Sequence, residues 1–215
     1  MEHSNSKVPG CKVVLIGEAG VGKTSIISRY VSGDFIEEVA STNGASYTSK
    51  NLIFPDLGKN LLLDIWDTAG QEKYRALTKY FYKDALVAIL VYDIKRVDSF
   101  KTLKEYWYPQ VKENCASNVV IGLAGNKCDL FEDEEVSEND ARAFADEIGA
   151  VFELTSAKNN IGINELFEDV GNKYFDPNFQ QRVKILQQQN ILDGRAETIS
   201  LERKTKAKKE KKKFC

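Results

Sequence analysis

One histidine in 215 residues, His3 in a polar N-terminal stretch, excludes catalysis built on imidazole. The four cysteines, Cys11, Cys115, Cys128 and Cys215, form no CxxC pair and keep no regular spacing. Zinc and disulfide frameworks are therefore not expected, and reduced thiols are the default. No apolar run approaches the ~18 residues that a membrane span needs. Met1 to Gly10 lacks the apolar core of a signal peptide, and Glu2 stands where a myristoylated chain needs glycine. If this chain sits on a membrane, it is expected to be anchored there rather than threaded through.

What is present is soluble and globular in character, with 42% hydrophobic and 29% charged residues. The length suits one compact domain plus a tail. Charge is unevenly placed. Between Arg203 and Lys213 eight basic residues face one acidic residue, a local +7 within a chain of net −2, so the remainder carries −9. Nucleic-acid binding predicts basic residues across the folded surface, so this pattern argues against it. A basic end on an acidic body fits contact with an anionic surface instead.

Alternation of elements predicts an α/β domain with a mostly parallel sheet. Val13 to Ile16, Leu86 to Tyr92 and Val119 to Ala124 are short continuous apolar runs, as expected of strands buried on both faces. Ala45 to Phe54 and Leu61 to Trp66 read as a strand pair joined by the turn formers Pro55 to Asn60. Helices are expected at Lys23 to Val31, Ser99 to Glu113, Ser137 to Ile148 and Asn164 to Tyr174, with Pro109 ending or kinking the second. Val151 to Leu154 is a short last strand. The expected organisation is a flexible N-terminus at 1–10, a folded domain at 11–178 and a basic tail at 179–215, without regular structure from Gln187 onward.

Two motifs carry the chemistry. Gly17-Glu18-Ala19-Gly20-Val21-Gly22-Lys23-Thr24 fits GxxxxGK[ST] between a predicted strand and a predicted helix, followed by Ser25. Such a loop wraps backbone N–H groups around phosphate oxygens at a helix N-terminus. Lys23 is placed to reach the β/γ-phosphates and Thr24 to coordinate Mg²⁺. Alone, this loop says only nucleotide triphosphatase or kinase. Asn126-Lys127-Cys128-Asp129 follows a buried strand at its carboxyl end. A carboxylate such as Asp129 accepts from both N1–H and the 2-amino group of guanine. Adenine has neither donor there and would leave the carboxylate unpaired. Asn126 can bridge loops, Lys127 can lie along the base, and Ser156-Ala157-Lys158 offers a backbone N–H to the guanine oxygen.

With Thr42 and Asp67-Thr68-Ala69-Gly70-Gln71 in the same order and spacing, the sequence resembles the Ras superfamily of small GTPases over roughly Lys12 to Phe175. That resemblance implies a six-stranded sheet with one antiparallel strand and five flanking helices. It implies bound GTP or GDP, and Mg²⁺ on Thr24, Thr42 and Asp67. It also implies stacking of Phe35 on the guanine edge, a Gly70 N–H to the γ-phosphate, and Gln71 orienting the attacking water, with Lys23 and Thr42 completing the catalytic set. No arginine lies between Arg29 and Arg75, so switch I supplies no arginine finger, and slow hydrolysis awaiting an arginine from an activating protein is expected. A nucleotide-locked scaffold is the alternative.

Trp66 before Asp67, the run Tyr80-Phe81-Tyr82-Lys83-Asp84-Ala85 and Leu90-Val91-Tyr92-Asp93-Ile94 are similar to the Rab branch. Tyr47, Trp66 and Phe81 match its effector-facing aromatic triad. Switch I departs from the Rab pattern Thr-Ile-Gly-Val-Asp-Phe, reading Thr42-Asn43-Gly44-Ala45-Ser46-Tyr47, and the turn at Pro55 to Asn60 reads about two residues longer than usual. The resemblance implies a role in vesicle traffic on the cytoplasmic face of an intracellular membrane, cycling with cytosol. Its implied partners are an exchange factor, an activating protein, effectors, and prenyl-delivery and membrane-extraction proteins. Rabs normally end in two cysteines; here Cys215 is alone and terminal. Cys215 is the expected prenylation site, with Arg203 to Lys213 as the second, electrostatic anchor.

Overall fold

A computed structural model describes residues 10–37, 42, 45–68, 80–116, 118–179 and 181. Six strands form one sheet in the order β2-β3-β1-β4-β5-β6. They are β1 (Gly10–Ile16), β2 (Ala45–Phe54), β3 (Lys59–Thr68), β4 (Val87–Asp93), β5 (Val120–Asn126) and β6 (Val151–Thr155). Only β2 is antiparallel, against β3; every other pairing is parallel. All seven residues of β4 and of β5 are buried, which is why both read as unbroken apolar runs rather than as an alternation.

Four helices flank the sheet among the described residues. These are α1 (Lys23–Ser32), α2 (residues 97–114), α3 (Glu138–Ile148) and α4 (Ile163–Phe175). Successive side chains of a strand face opposite layers. Val14 and Ile16 join Leu90, Tyr92, Leu103, Trp107 and Phe144 in the core between the sheet and α2–α3. Val13, Leu15 and Ile89, of the other parity, are equally buried, and on α1 and α4 Tyr30 stacks on Phe167 at 3.7 Å. Ser137 caps α3: its Oγ accepts from the Asp140 N–H at 3.1 Å and donates to the Asp140 carboxylate at 2.7 Å.

Two expectations need correction. Of the two outcomes expected at Pro109, an end or a kink, the end is overturned, because α2 runs on past it. The helix widens into a π turn at Leu103–Trp107 and continues as Tyr108–Asn114. In the wider turn the Tyr108 N–H bonds back to the Leu103 carbonyl, five residues earlier, and the chain passes through the proline as helix. The hairpin turn is also shorter than Pro55 to Asn60. Lys59 and Asn60 pair with Phe54 and Ile53, leaving only a 3₁₀ turn at Pro55–Leu57 closed by Gly58.

The described residues from Gly10 to Tyr174 belong to one compact unit. In the second unit, Asp176 accepts from the N–H groups of Asn178 and Phe179 at 2.8 and 3.1 Å. Among the described residues no helix is long and apolar enough to cross a membrane. Apart from Phe179 and Gln181, the predicted tail, including Cys215, lies outside the described residues, as do Ala69, Gly70 and Gln71.

Candidate functional site

A cleft of about 410 Å³ opens at the carboxyl ends of β1, β5 and β6, where parallel sheets bind ligands. Its lining includes Ala19, Gly20, Gly22, Lys23, Thr24 and Ser25 from the phosphate loop, and Phe35, Glu37 and Thr42 from the next segment. Thr68, Asn126, Lys127, Asp129, Leu130, Ala157 and Lys158 complete it.

The loop between β1 and α1 is shaped around a buried ammonium. Lys23, 5% exposed, donates to the Gly17 carbonyl at 2.8 Å and the Glu18 carbonyl at 2.9 Å. Burial lowers its pKa to about 8, against an opposing pull from Asp67 and Glu18. Gly22 precedes α1 at φ +99, and a Cβ there would stand 2.2 Å from Asn126 Nδ2. Only glycine allows that approach.

The approach matters because Asn126 ties two loops together. Its Nδ2 donates to the Val21 carbonyl at 2.8 Å, and its Oδ1 accepts from Thr155 Oγ1 at 3.2 Å, all buried. Lys127 adopts a left-handed conformation, φ +66, and pairs with Asp93 at 2.6 Å. Asp129 accepts from Ser156 Oγ at 2.6 Å. Arg29 of α1 fixes the loop after β6, donating to the Ala157 carbonyl at 2.8 Å and the Lys158 carbonyl at 3.1 Å. The same guanidinium lies 5.9 Å from the Phe35 ring, at the side of the cleft.

Beside Lys23 three oxygens converge. Thr24 Oγ1 lies 2.9 Å from Thr42 Oγ1 and donates to Asp67 Oδ2 at 2.6 Å, while Thr42 Oγ1 reaches the same carboxylate oxygen at 3.2 Å. Asp67 is 3% exposed, and its second oxygen, Oδ1, is buried without a hydrogen-bond partner. Burial raises its pKa, partly offset by Thr24, Lys23 and Thr42. Outside the cleft, Tyr47, Trp66 and Phe81 form a contiguous string, with ring centroids 5.5 and 6.0 Å apart.

Sequence reasoning missed Asp93 and Arg96. Asp93 ends β4 and holds Lys127; Arg96, three residues on, donates to the Ala19 carbonyl at 3.3 Å and pairs with Glu18 at 3.4 Å. The signal available was topological. Parallel β4 lies beside β1, so whatever follows β4 arrives next to the phosphate loop.

A strand–loop–helix phosphate cradle sharing one cleft with a carboxylate-bearing loop after β5 defines a P-loop protein built for guanine nucleotides. The Ras family profile matches residues 12–176. The Ras-related protein Rab-22A of Homo sapiens is 44% identical over 162 residues, 75% of this chain and 82% of that protein. The Ras-related protein Rab-31 of Mus musculus is 45% identical over 160 residues, 74% of this chain and 80% of its own. The Ras-related protein Rab-5A of Dictyostelium discoideum is 40% identical over 171 residues, covering 80% and 84%. The chain therefore belongs to the Ras family, within its Rab branch, and is a small GTPase of membrane trafficking that binds and hydrolyses GTP.

Proposed function

We propose that this protein is a slow GTP switch whose cleft holds the phosphates on residues 17–24 and the guanine between residues 126–129 and 156–158. The observation that carries the reading is the single cleft lined by the phosphate loop, Asp129, Thr24 and Thr42, with Asp67 hydrogen-bonded to both threonine hydroxyls. Two hydroxyls and a carboxylate are hard oxygen donors, and the unpartnered Asp67 Oδ1 is an acceptor awaiting a bonding partner. That donor set suits Mg²⁺, which keeps water and phosphate among its ligands. Thr24, Thr42 and Asp67 would hold it, and when bound it would offset negative charge on the phosphate oxygens.

The chain's own groups supply the rest. Lys23 brings a desolvated cation to the phosphates, where loss of water strengthens its attraction. Gly70 and Gln71, outside the described residues, take the family roles of γ-phosphate donor and water-orienting amide. Switch I lacks arginine, so an activating protein supplies it, a contribution worth ~10³–10⁵ in rate. Loss of the γ-phosphate releases Thr42 and Gly70, and effectors read the difference through Tyr47, Trp66 and Phe81. An exchange factor reloads the site. Prenyl-delivery and membrane-extraction proteins handle a lipid on Cys215, beside the basic run 203–213.

Single-turnover hydrolysis of preloaded GTP, with and without Mg²⁺, tests this reading. The expected result is slow, Mg²⁺-dependent hydrolysis. Turnover several times per second without any partner overturns the missing-arginine argument, and no hydrolysis at all favours a nucleotide-locked scaffold.

A further inference from the structure

The cation absent from switch I has a counterpart elsewhere in the fold. Arg96 stands on the turn from β4 into α2, 77 residues from Ala19 in sequence, yet Nη1 donates to the Ala19 carbonyl at 3.3 Å. Nη2 pairs with the Glu18 carboxylate at 3.4 Å. A Cβ on Gly20 would lie 3.5 Å from Nη1, so the guanidinium covers the outer side of the Ala19–Gly20 peptide.

Arg96 is itself held. Its N–H donates to the Asp93 carbonyl at 3.0 Å, and its carbonyl accepts from Ser99 N and Oγ at 2.9 and 2.7 Å. The Asp93 carboxylate is occupied by Lys127 at 2.6 Å. One turn therefore connects the base-reading loop to the phosphate loop.

Geometry gives this contact a consequence. A trans peptide directs its C=O and its following N–H in opposite senses, and the described chain contains no cis bond. If Arg96 draws the Ala19 carbonyl outward, the Gly20 N–H turns toward the cleft that Gly20 lines. A guanidinium on the carbonyl also polarises the peptide and strengthens that N–H as a donor.

We propose that Arg96 is a positioning residue for GTP hydrolysis, aiming the Gly20 N–H at the phosphate chain where charge gathers on the departing oxygen. The proposal rests on the nucleotide reading given above. In the reaction a water oxygen bonds to the γ-phosphorus while the bond from that phosphorus to the β–γ bridging oxygen breaks. The electron pair stays on GDP, and the water's protons leave with phosphate and solvent. Arg96 touches none of these atoms; it acts through a peptide.

The test compares full-length wild type with Arg96→Ala, Arg96→Lys and Lys95→Ala, each loaded with GTP and Mg²⁺. Lys95 is the control, because it loses the same charge from the same turn while its ammonium pairs with Asp133 rather than with the phosphate loop. Arg96→Ala should slow single-turnover hydrolysis roughly tenfold, the scale of one charge-assisted hydrogen bond. Arg96→Lys should recover part of the loss, since an ammonium still donates to the Ala19 carbonyl but forms no fork to Glu18. The phosphorus NMR signal of the β-phosphate in bound GDP should move in Arg96→Ala and stay in place in Lys95→Ala. A wild-type rate in Arg96→Ala, or equal slowing in Lys95→Ala, overturns the proposal. A wild-type chain that fails to retain GTP overturns the reading beneath it.

Discussion

Replacing Gly22 by alanine tests whether the loop between β1 and α1 and the loop after β5 are one structure. The new methyl would stand 2.2 Å from Asn126 Nδ2, which donates to the Val21 carbonyl at 2.8 Å. Methyl and hydrogen bond cannot coexist. The left-handed backbone at φ +99 costs a non-glycine residue about 1–2 kcal/mol, and a buried donor forced off its partner costs about 1–3 kcal/mol more. Gly33, at the other end of α1, isolates the first contribution. Its φ is +77, and nothing lies within 4 Å of its would-be Cβ. For a domain of this size each kcal/mol moves the midpoint by about 2–4 °C. In the GDP-bound protein Gly33→Ala should then lower Tm by about 2–8 °C and Gly22→Ala by about 4–20 °C. Asn126→Ala closes the cycle. With that amide gone, Gly22→Ala should cost only the backbone strain, so the two changes should couple by about 1–3 kcal/mol. Equal Tm losses for the two glycine variants, or strict additivity in the double variant, would refute the reasoning.

Two other predictions concern charge. Lys23 titrates at about 8 in the free cleft, below its ordinary range, so the unfolded chain binds more protons between pH 8 and about 10.4, and stability of the nucleotide-free form rises with pH there. Bound phosphates should restore the charged form; calorimetry at pH 8.5 in buffers of differing ionisation heat should show net proton uptake on nucleotide binding, and none would rule out a desolvated Lys23. Cys215→Ser should leave nucleotide affinity unchanged and shift the protein into the soluble fraction of fractionated cells; unaltered membrane association would exclude a lipid on Cys215.

The parts of this fold legible in the sequence are those whose physics is local. Strands β1, β4 and β5 are buried on both faces, and an uninterrupted apolar run between turn formers declares that directly. The phosphate loop and residues 126–129 are contiguous, so spacing alone located them. The π turn before Pro109 was not legible, because a proline's clash is local while its relief depends on how Leu103 and Trp107 are buried. The hairpin was misread for a similar reason: Lys59 and Asn60 have turn-like composition, and cross-strand pairing with Phe54 and Ile53 outweighs it. Arg96 and Asp93 belong to ordinary-looking turn sequence. Their role exists only once β4 is set beside β1, a relation between segments some 75 residues apart.

The pairing of β2 with β3 has a mechanical meaning. Ala45 and Thr68 are opposite each other, the last pair at the cleft end of the ladder. The segment containing Thr42 enters the hairpin at Ala45, and the segment containing Gly70 and Gln71 leaves it at Thr68. On the proposed reading, what Thr42 and Gly70 sense of the γ-phosphate reaches the sheet at one rung of a ten-pair ladder. A partner bound to the aromatic string beside that rung would then register both contacts as one bit rather than two.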